Sequence, residues 1–476
     1  MKGKIRGQKY GSIAIVGCGA AGIALMTHMS RLGWGETSRV LLIDPRPPGS
    51  GVAFDRDEEY LLCNTSVGVN SVFPDDPEHH LRWLQSDLIH GTRWGIDKTV
   101  ITAHSYVPRG LFLAYLSEQF SRAIDDCTTR GIFIDYVPDK VVRVTANSDG
   151  AVVTIAIGDR FPVNRAFVCT GLQVSDDTIS RCRNSGGIIW PVYQTHQNLD
   201  RLSQARRVLI LGMRQSAIDS AQLVREYNPC AEIVMVSRTA RFPAVRSEMV
   251  ERPSAILTSA TILQSSWRDR AGSVQRWHRL IREDMHRQDG HGDLFPMRHA
   301  DPIHQLAADL EHSVWGNPAW QRIDRHAVTV ANEVWPALSQ GQRMSLQRSF
   351  SRHVRRYVSA VPDIIARRLL ADNADGRLTC ARAVAEPKFR DRGVSIDSDL
   401  SSINADVAID ATGLTAVTED SRALTPVAIG HLGSRVIHHL GPANVNALAI
   451  PNYFNATARQ AAALASSIIN QATTYD

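Results

Sequence analysis

Apolar residues along this chain follow two periods, and the same order of periods occurs twice. Ser12 to Val16 is a short apolar run, Gly17 to Gly22 is a turn, and Ile23 to Leu32 has helical spacing. Val40 to Ile43 reads as a second buried strand, ending at Asp44. The pattern returns over 207–238, with a strand Val208 to Leu211, a turn at Gly212, a helix Ser216 to Tyr227 and a strand Ile233 to Val236. Adjacent parallel strands need a crossover helix, so each stretch predicts a βαβ opening. The two openings stand about 195 residues apart, so they predict two parallel-sheet domains and not one sheet continued.

Between them, residues 56–125 read as loop and helix and 132–170 as strands, the last of which, Ala166 to Cys169, runs into Thr170-Gly171. Residues 265–370 carry mostly helical signals. Around Leu346, Phe350, Val354 and Tyr357 the apolar positions recur every three or four residues, with Arg348, Arg352, Arg355 and Arg356 on mostly the remaining surface. Val407 to Ile409 followed by Asp410-Ala411-Thr412-Gly413 repeats the strand-then-Thr-Gly ending, and a helix, Ala456 to Asn470, closes the chain. The expected fold is α/β with two Rossmann-type dinucleotide-binding domains and a helical insertion. The first domain spans 1–186 and resumes over 371–476; the second occupies 187–370, with the insertion at about 265–370.

Composition narrows the function classes. A length of 476 residues exceeds one compact core, in keeping with two or three domains. The net charge of +5 suits anionic cofactors but does not argue for nucleic acid, and the arginines of 348–356 read as the wet face of a helix. Seven scattered cysteines without a close pair predict reduced thiols in a cytoplasmic protein. They also argue against a flavoprotein disulfide reductase, which needs two neighbouring thiols. Lys2, Lys4, Arg6 and Lys9 before the apolar Ile13–Met26 stretch imitate a secretory signal, but the glycine spacing inside that stretch has its own explanation, and no other stretch is apolar enough to span a bilayer. His286, His291, His299 and His304 lack helical pairing and cysteine partners, so they read as solvated or substrate-facing and no metal site is expected.

Gly17-Cys18-Gly19-Ala20-Ala21-Gly22 meets the G-x-G-x-x-G pattern after a strand and before a helix. Gly17 permits the tight turn, Gly19 admits a pyrophosphate to the backbone, and Gly22 lets the helix pack closely, so that its N-terminus faces the phosphate. Asp44 stands where a carboxylate holds ribose hydroxyls. The second motif, Gly212-Met213-Arg214-Gln215-Ser216-Ala217-Ile218-Asp219, keeps the context but places Arg214 at the second glycine and Ala217 at the third. Arg214 either crowds the pyrophosphate or adds a charge-assisted contact to it. The following strand ends at Ser237-Arg238, and an arginine there pairs with a 2′-phosphate, which favours NADPH over NADH.

With these motifs in place, the chain resembles the bacterial FAD/NAD(P)-binding family related to class B flavin monooxygenases. The resemblance rests on Gly17–Gly22, Gly49-Ser50-Gly51-Val52-Ala53-Phe54, Leu61-Leu62-Cys63-Asn64, Phe73-Pro74-Asp75-Asp76-Pro77 leading to Trp83-Leu84, and Tyr106-Val107-Pro108-Arg109 leading to Tyr115-Leu116. Thr170-Gly171 and Ala411-Thr412-Gly413 are similar to the motifs that mark crossings between the FAD and NADPH domains, and Gln215-Ser216-Ala217 resembles the Gly-Gln-Ser-Ala stretch of amino-acid N-hydroxylases, with Arg214 in place of its glycine. The resemblance implies FAD and NADPH as cofactors and a C4a-(hydro)peroxyflavin that transfers one oxygen atom from molecular oxygen to a small molecule. The preferred target is the nitrogen of an amine or amino acid; Baeyer–Villiger or sulfur oxidation stays open. So do an oxidase or reductase without oxygen insertion and a non-catalytic flavin-binding role.

The resemblance also implies residues near the isoalloxazine. Asn64 and Asn70 are candidates for polar contacts to the flavin or a retained nicotinamide, against the plainer role of satisfying loop backbone groups. Arg109 is a candidate for a phosphate or a substrate carboxylate. Asn452, Tyr453 and Asn455 are expected to close the flavin site. Neither a nucleic-acid nor a membrane partner is expected, and homo-oligomer formation stays open.

Overall fold

Each of the two predicted openings builds a five-stranded, all-parallel sheet. In a computed structural model of the chain, the first sheet runs in the order Ile437–His439, Arg165–Val168, Gly11–Val16, Thr37–Ile43, Phe133–Val137. The second runs Leu378–Arg382, Glu232–Ser237, Arg207–Leu211, Val407–Asp410, Ile189–Pro191. The structure describes residues 11–49, 51, 59–86, 94, 97–193, 198–247, 249, 253–264, 270–289, 298–315, 318–390, 393–416, 436–444, 448–450 and 453–473. Lys2, Lys4, Arg6, Lys9, Ser50, Val52, Ala53, Phe54, His291 and Asn452 lie outside the described residues.

Strands covered on both faces must be apolar throughout, which is why Ile13–Val16, Val40–Ile43, Val208–Leu211 and Ile233–Val236 read as unbroken apolar runs. In the first domain, helices Ala20–Arg31, Arg109–Thr129 and Phe454–Thr473 share one core with one sheet face. A three-stranded antiparallel sheet, Val141–Asn147, Gly150–Ile155 and Arg160–Val163, covers the other. The second domain repeats this plan. Helices Gln215–Tyr227 and Asp363–Ala374 cover one face, and Lys388–Arg390, Gly393–Asp397 and Ser402–Ala405 cover the other. Leu172–Val174 and Leu414–Ala416, just beyond the two Thr-Gly endings, pair antiparallel.

The strand pairing moves the expected return to the first domain from 371 to beyond Leu414–Ala416. Leu378–Arg382 pairs with Glu232–Ser237, and the chain up to Asp410 stays with the second sheet. Leu378–Arg382 is an edge strand with only Leu378 and Ala381 buried, so its apolar signal is weak.

Helices Ser259–Gln264, Arg270–Asp289, Pro302–Trp315, Ala319–Val334 and Gln340–His353 form the insertion, continued by a π-helical turn, Val354–Val358. Trp277, Trp320, Ile323, Trp335 and Leu346 form its core. Parallel pairing of Val245–Arg246 with Val361–Pro362 joins it to the second domain. Two ion pairs reinforce the joint. Arg246 meets Asp324 at 2.6 Å, with side chains only 1% and 3% exposed. Arg356 meets Asp309 at 2.5 Å and donates to the Phe242 carbonyl, so unlike Arg348, Arg352 and Arg355 it does not belong to the wet face. Among the described residues no helix is long and apolar enough to cross a membrane.

Removing one partner of a fully buried ion pair leaves an uncompensated charge. Asp324→Ala is expected to destabilise the protein by about 3–5 kcal/mol in chemical denaturation, with much of the loss recovered by adding Arg246→Met.

Candidate functional site

Both glycine turns lie at the carboxyl ends of their strands, where open α/β sheets bind ligands. Gly17 has a φ of +94°, and its N–H donates to the Ile43 carbonyl at 2.9 Å. A Cβ on Gly17 would lie 2.9 Å from the Cys169 carbonyl oxygen, and one on Gly22 would lie 2.3 Å from the Gly17 oxygen. Both positions therefore require glycine. Gly19 caps the helix that begins Ala20-Ala21-Gly22, and no side chain bonds to its N-terminal amides. Those amides face outward with the positive end of the helix dipole.

Asp44 is buried. Its Oδ2 accepts from the Cys18 N–H at 2.9 Å and its Oδ1 from the Arg46 N–H at 3.0 Å. The carboxylate thus holds the turn in shape as well as standing at the expected ribose position. The Thr170 hydroxyl is buried without a hydrogen-bond partner beside Gly17, and Gly171 has open space where a side chain would be. An orphaned hydroxyl, two positions closed to any Cβ and an uncapped helix end fit a cofactor that carries a pyrophosphate.

The second turn repeats this geometry. Gly212 has a φ of +126° and donates to the Val236 carbonyl at 2.7 Å, and a Cβ there would lie 2.7 Å from the Ala411 oxygen. Arg214 stands at the N-cap of Gln215–Tyr227 with an exposed side chain, so it leaves the turn open instead of filling it. Burial of part of its side chain, with Arg355 and Arg238 nearby, lowers its pKa. Arg238 follows the strand end, as expected. The Gln215 side-chain amide donates to the carbonyls of Ser359 and Ala360 at 3.0 and 2.9 Å, bracing the turn against the insertion. Ser216 occupies the first turn of the same helix, where its carbonyl accepts from the Ser220 hydroxyl.

Arg109 corrects a sequence expectation. Its guanidinium is buried and forms a two-pronged ion pair with Asp219 at 2.7 and 3.0 Å, and its Nε donates to the Leu62 carbonyl. The Tyr193 hydroxyl donates to the same carboxylate at 2.7 Å. Burial opposes the Arg109 charge, but Asp219, Tyr193 and Cys63 around it raise its pKa above the ordinary value. Burial and Asp219 push Tyr193 up to about 12, so it remains a donor. These groups leave Arg109 no free edge for a phosphate or substrate carboxylate, and they tie the first domain to the second.

Asn70 takes the plainer of its two expected roles. It is buried, accepts from the Thr65 hydroxyl at 2.8 Å and donates to the Thr65 carbonyl at 3.1 Å, locking the 65–70 loop. Asn64 is part-exposed at the head of that loop. Asn455 is buried and accepts from Arg459 Nε at 3.1 Å, while Gly413, with a φ of +147°, opens the crossing strand. The motif residues Trp83 and Tyr115, together with Phe112, surround His80, which burial lowers to about 3, and Phe73 meets the neighbouring His79.

Four segments meet in one apolar cluster. Val69, Met249, Val328, Leu448, Ile450, Tyr453 and Ala456 form it, drawn from the 61–70 loop, the second domain, the insertion and the C-terminal segment. Tyr453 donates to the Met249 sulfur at 3.3 Å, and Ser66 donates to the Met249 carbonyl at 3.4 Å. Sequence reasoning named Asp219 without a role and missed Tyr193, Met249 and Arg246. Their partners are distant in the chain and left no local pattern. A depression of about 400 Å³ lined by Arg206, Arg207, Glu232 and Asp406 lies at the opposite end of the second sheet from Gly212. It is at the wrong end of the strands to serve either turn.

Residues 14–173 match the model of the FAD-NAD(P)-binding family. No curated protein matches the chain. Its fold is similar to that of ornithine hydroxylase from Pseudomonas aeruginosa, with 14% identity, a TM-score of 0.58 and coverage of 97% of this chain and 99% of that one. The ornithine N-hydroxylase of Kutzneria sp. 744, in a structure with reduced FAD, NADP+ and L-ornithine, has 13% identity and a TM-score of 0.56 over 98% of this chain and 100% of that one. L-lysine 6-monooxygenase from Pseudomonas syringae has 13% identity and a TM-score of 0.57 over 97% and 99%. These likenesses show a fold shared over nearly the whole chain.

A methyl group at Gly22 has no room beside the Gly17 carbonyl. Gly22→Ala is therefore expected to yield protein without bound flavin, read from the absorbance of the purified chain. Asp219→Ala strands the buried Arg109 charge and is expected to cost about 3–5 kcal/mol in chemical denaturation. Tyr193→Phe, which removes the hydrogen bond to Asp219 and the one received from Arg109, should cost about 1–3 kcal/mol.

Proposed function

We propose that the chain is an FAD-dependent, NADPH-consuming monooxygenase that oxygenates a small molecule, with N-hydroxylation of an amine or amino acid as the favoured reaction. The observation that carries this reading is the pair of open glycine turns, each built against its own Thr-Gly crossing and joined through a buried interdomain ion pair. One chain thus presents two dinucleotide sites to one interdomain space. The FAD-NAD(P)-binding match over residues 14–173 supports FAD at the first turn. Arg238 at the end of the second strand supports NADPH at the other. The amine preference rests on the fold shared with ornithine and lysine hydroxylases and on Gln215-Ser216-Ala217.

The chain's own contributions are binding, orientation and exclusion of water. The Gly17–Gly22 amides receive a pyrophosphate, and Asp44 stands at the ribose. The apolar cluster of Val69, Met249, Val328, Ile450 and Tyr453 keeps water from the space between the turns. Bound FAD, with NADPH as reductant, supplies the oxygen-activating chemistry; the protein needs no triad or metal set for it. A dithiol reductase is disfavoured by the cysteines. All seven are unpaired, burial pushes Cys18 and Cys63 up to about 12, and it also raises Cys169 beside the first turn.

The test is an anaerobic titration of the purified protein with NADPH, followed by flavin absorbance, and then readmission of oxygen with candidate amines. Bleaching, then reoxidation coupled to a hydroxylated product, is the expected result. A bound flavin that NADPH never bleaches, with or without amines, overturns the reading. Bleaching with hydrogen peroxide as the only product would place the chain among oxidases.

A further inference from the structure

The insertion ends against both loops of the second dinucleotide unit. On one side, Gln215 donates its amide to the carbonyls of Ser359 and Ala360. On the other, the Ala244 N–H donates to the Arg356 carbonyl at 2.7 Å, and the Arg356 guanidinium donates to the Phe242 carbonyl at 2.8 Å. The π-helical turn Val354–Val358 is thereby held between the residue after Arg214 and the loop after Arg238. Arg355 is the exposed residue of this turn. Its neighbour Arg356 is committed to Asp309, and the nearby Asp324 carboxylate to Arg246.

Arg214, Arg238 and Arg355 therefore stand on three segments that these hydrogen bonds draw together. None has an acidic partner among the described residues, and the three are near enough for the charges of Arg238 and Arg355 to bear on Arg214. Like charges held together by the fold cost free energy unless an anion neutralises them. A phosphate dianion accepts several guanidinium hydrogen bonds at once, whereas a lone carboxylate cannot engage three such forks. Arg238 marks the strand end, where the adenosine ribose of a bound dinucleotide sits.

We propose that Arg355, carried by the helical insertion, completes with Arg238 and Arg214 the site for the ribose 2′-phosphate of the nicotinamide dinucleotide, so that the insertion itself selects NADPH over NADH. This rests on reading the second turn as the nicotinamide site. The insertion then has a role in the nucleotide site as well as in walling the interdomain space, and its removal would cost cofactor selectivity as well as shape.

The experiment measures binding of 2′,5′-ADP and of 5′-AMP to the flavin-bound protein by calorimetry, at low and at physiological ionic strength. The two ligands differ in the 2′-phosphate, and neither reduces the flavin. Arg355→Gln is expected to weaken 2′,5′-ADP by about tenfold or more while leaving 5′-AMP unchanged, with a smaller difference at higher salt. Arg348→Gln, on the exposed face of the preceding helix, serves as the control and should leave both unchanged. If Arg355→Gln binds 2′,5′-ADP like the parent while Arg238→Gln loses it, the insertion has no part in the site, although the 2′-phosphate reading stands. If the parent binds the two ligands equally well, both this proposal and the NADPH reading fall.

Discussion

The interaction on which the rest of the molecule depends is the buried pair between Arg109 and Asp219. Each residue begins or lies early in a helix, one in each dinucleotide-binding domain. An arginine at the first position of helix Arg109–Thr129 sits against the positive end of that helix's dipole and gains nothing from it. Its charge is tolerable in the interior only because Asp219 meets it with two hydrogen bonds and Tyr193 and Leu62 complete the set. A buried pair of this kind is weak as a source of stability, but its geometry admits one docking of the two domains and penalises others. Tyr193 reaches the pair from a left-handed backbone conformation with a φ of +68°, uncommon for a residue with a side chain. The strain at that connector is offset by the hydrogen bond it places.

Around that joint, the two domains solve one problem twice. In each, the first glycine of the turn donates to the carbonyl closing the second strand and presses its Cα against the carbonyl before a Thr-Gly ending, Cys169 in one and Ala411 in the other. They differ at the second motif position. Gly19 leaves bare backbone at its turn, whereas Arg214 places an exposed charge at the mouth of the same kind of turn without distorting it. The third position tolerates Ala217 because its Cβ lies 3.3 Å from where a side chain on Gly212 would begin, and Gly212 has none.

Features set by local rules were legible in the sequence: both turns, both strand ends, both Thr-Gly crossings and the helical insertion. Each depends on backbone sterics or on period, and both are properties of contiguous residues. What escaped was decided by contacts at long range. Arg109 looks like a free cation until Asp219, 110 residues on, is folded against it. Nothing near Gln215 in the chain announces the Ser359 and Ala360 carbonyls that its amide meets. Asn70 is the instructive exception, because its partner Thr65 is only five residues away and the plainer reading of a loop asparagine was already available. The misplaced return at 371 has a different origin: an edge strand buried at two of its five positions carries too little periodicity to be seen.

The insertion shows why the chain order matters for chemistry at the centre. An interdomain space lined by two domains alone would open to water along their seam. Here Val328 of the insertion and Leu448, Ile450 and Tyr453 of the C-terminal segment meet Val69 of the first domain and Met249 of the second in one apolar cluster. The Ile450 N–H is received by Asn332 of the insertion, so the two covering segments are also bonded to each other. Exclusion of water strengthens every electrostatic contact inside. A wall assembled from four separate segments forms only when both domains and the insertion are docked. The Arg109–Asp219 pair, which ties the first domain to the second, is therefore a condition for that cluster.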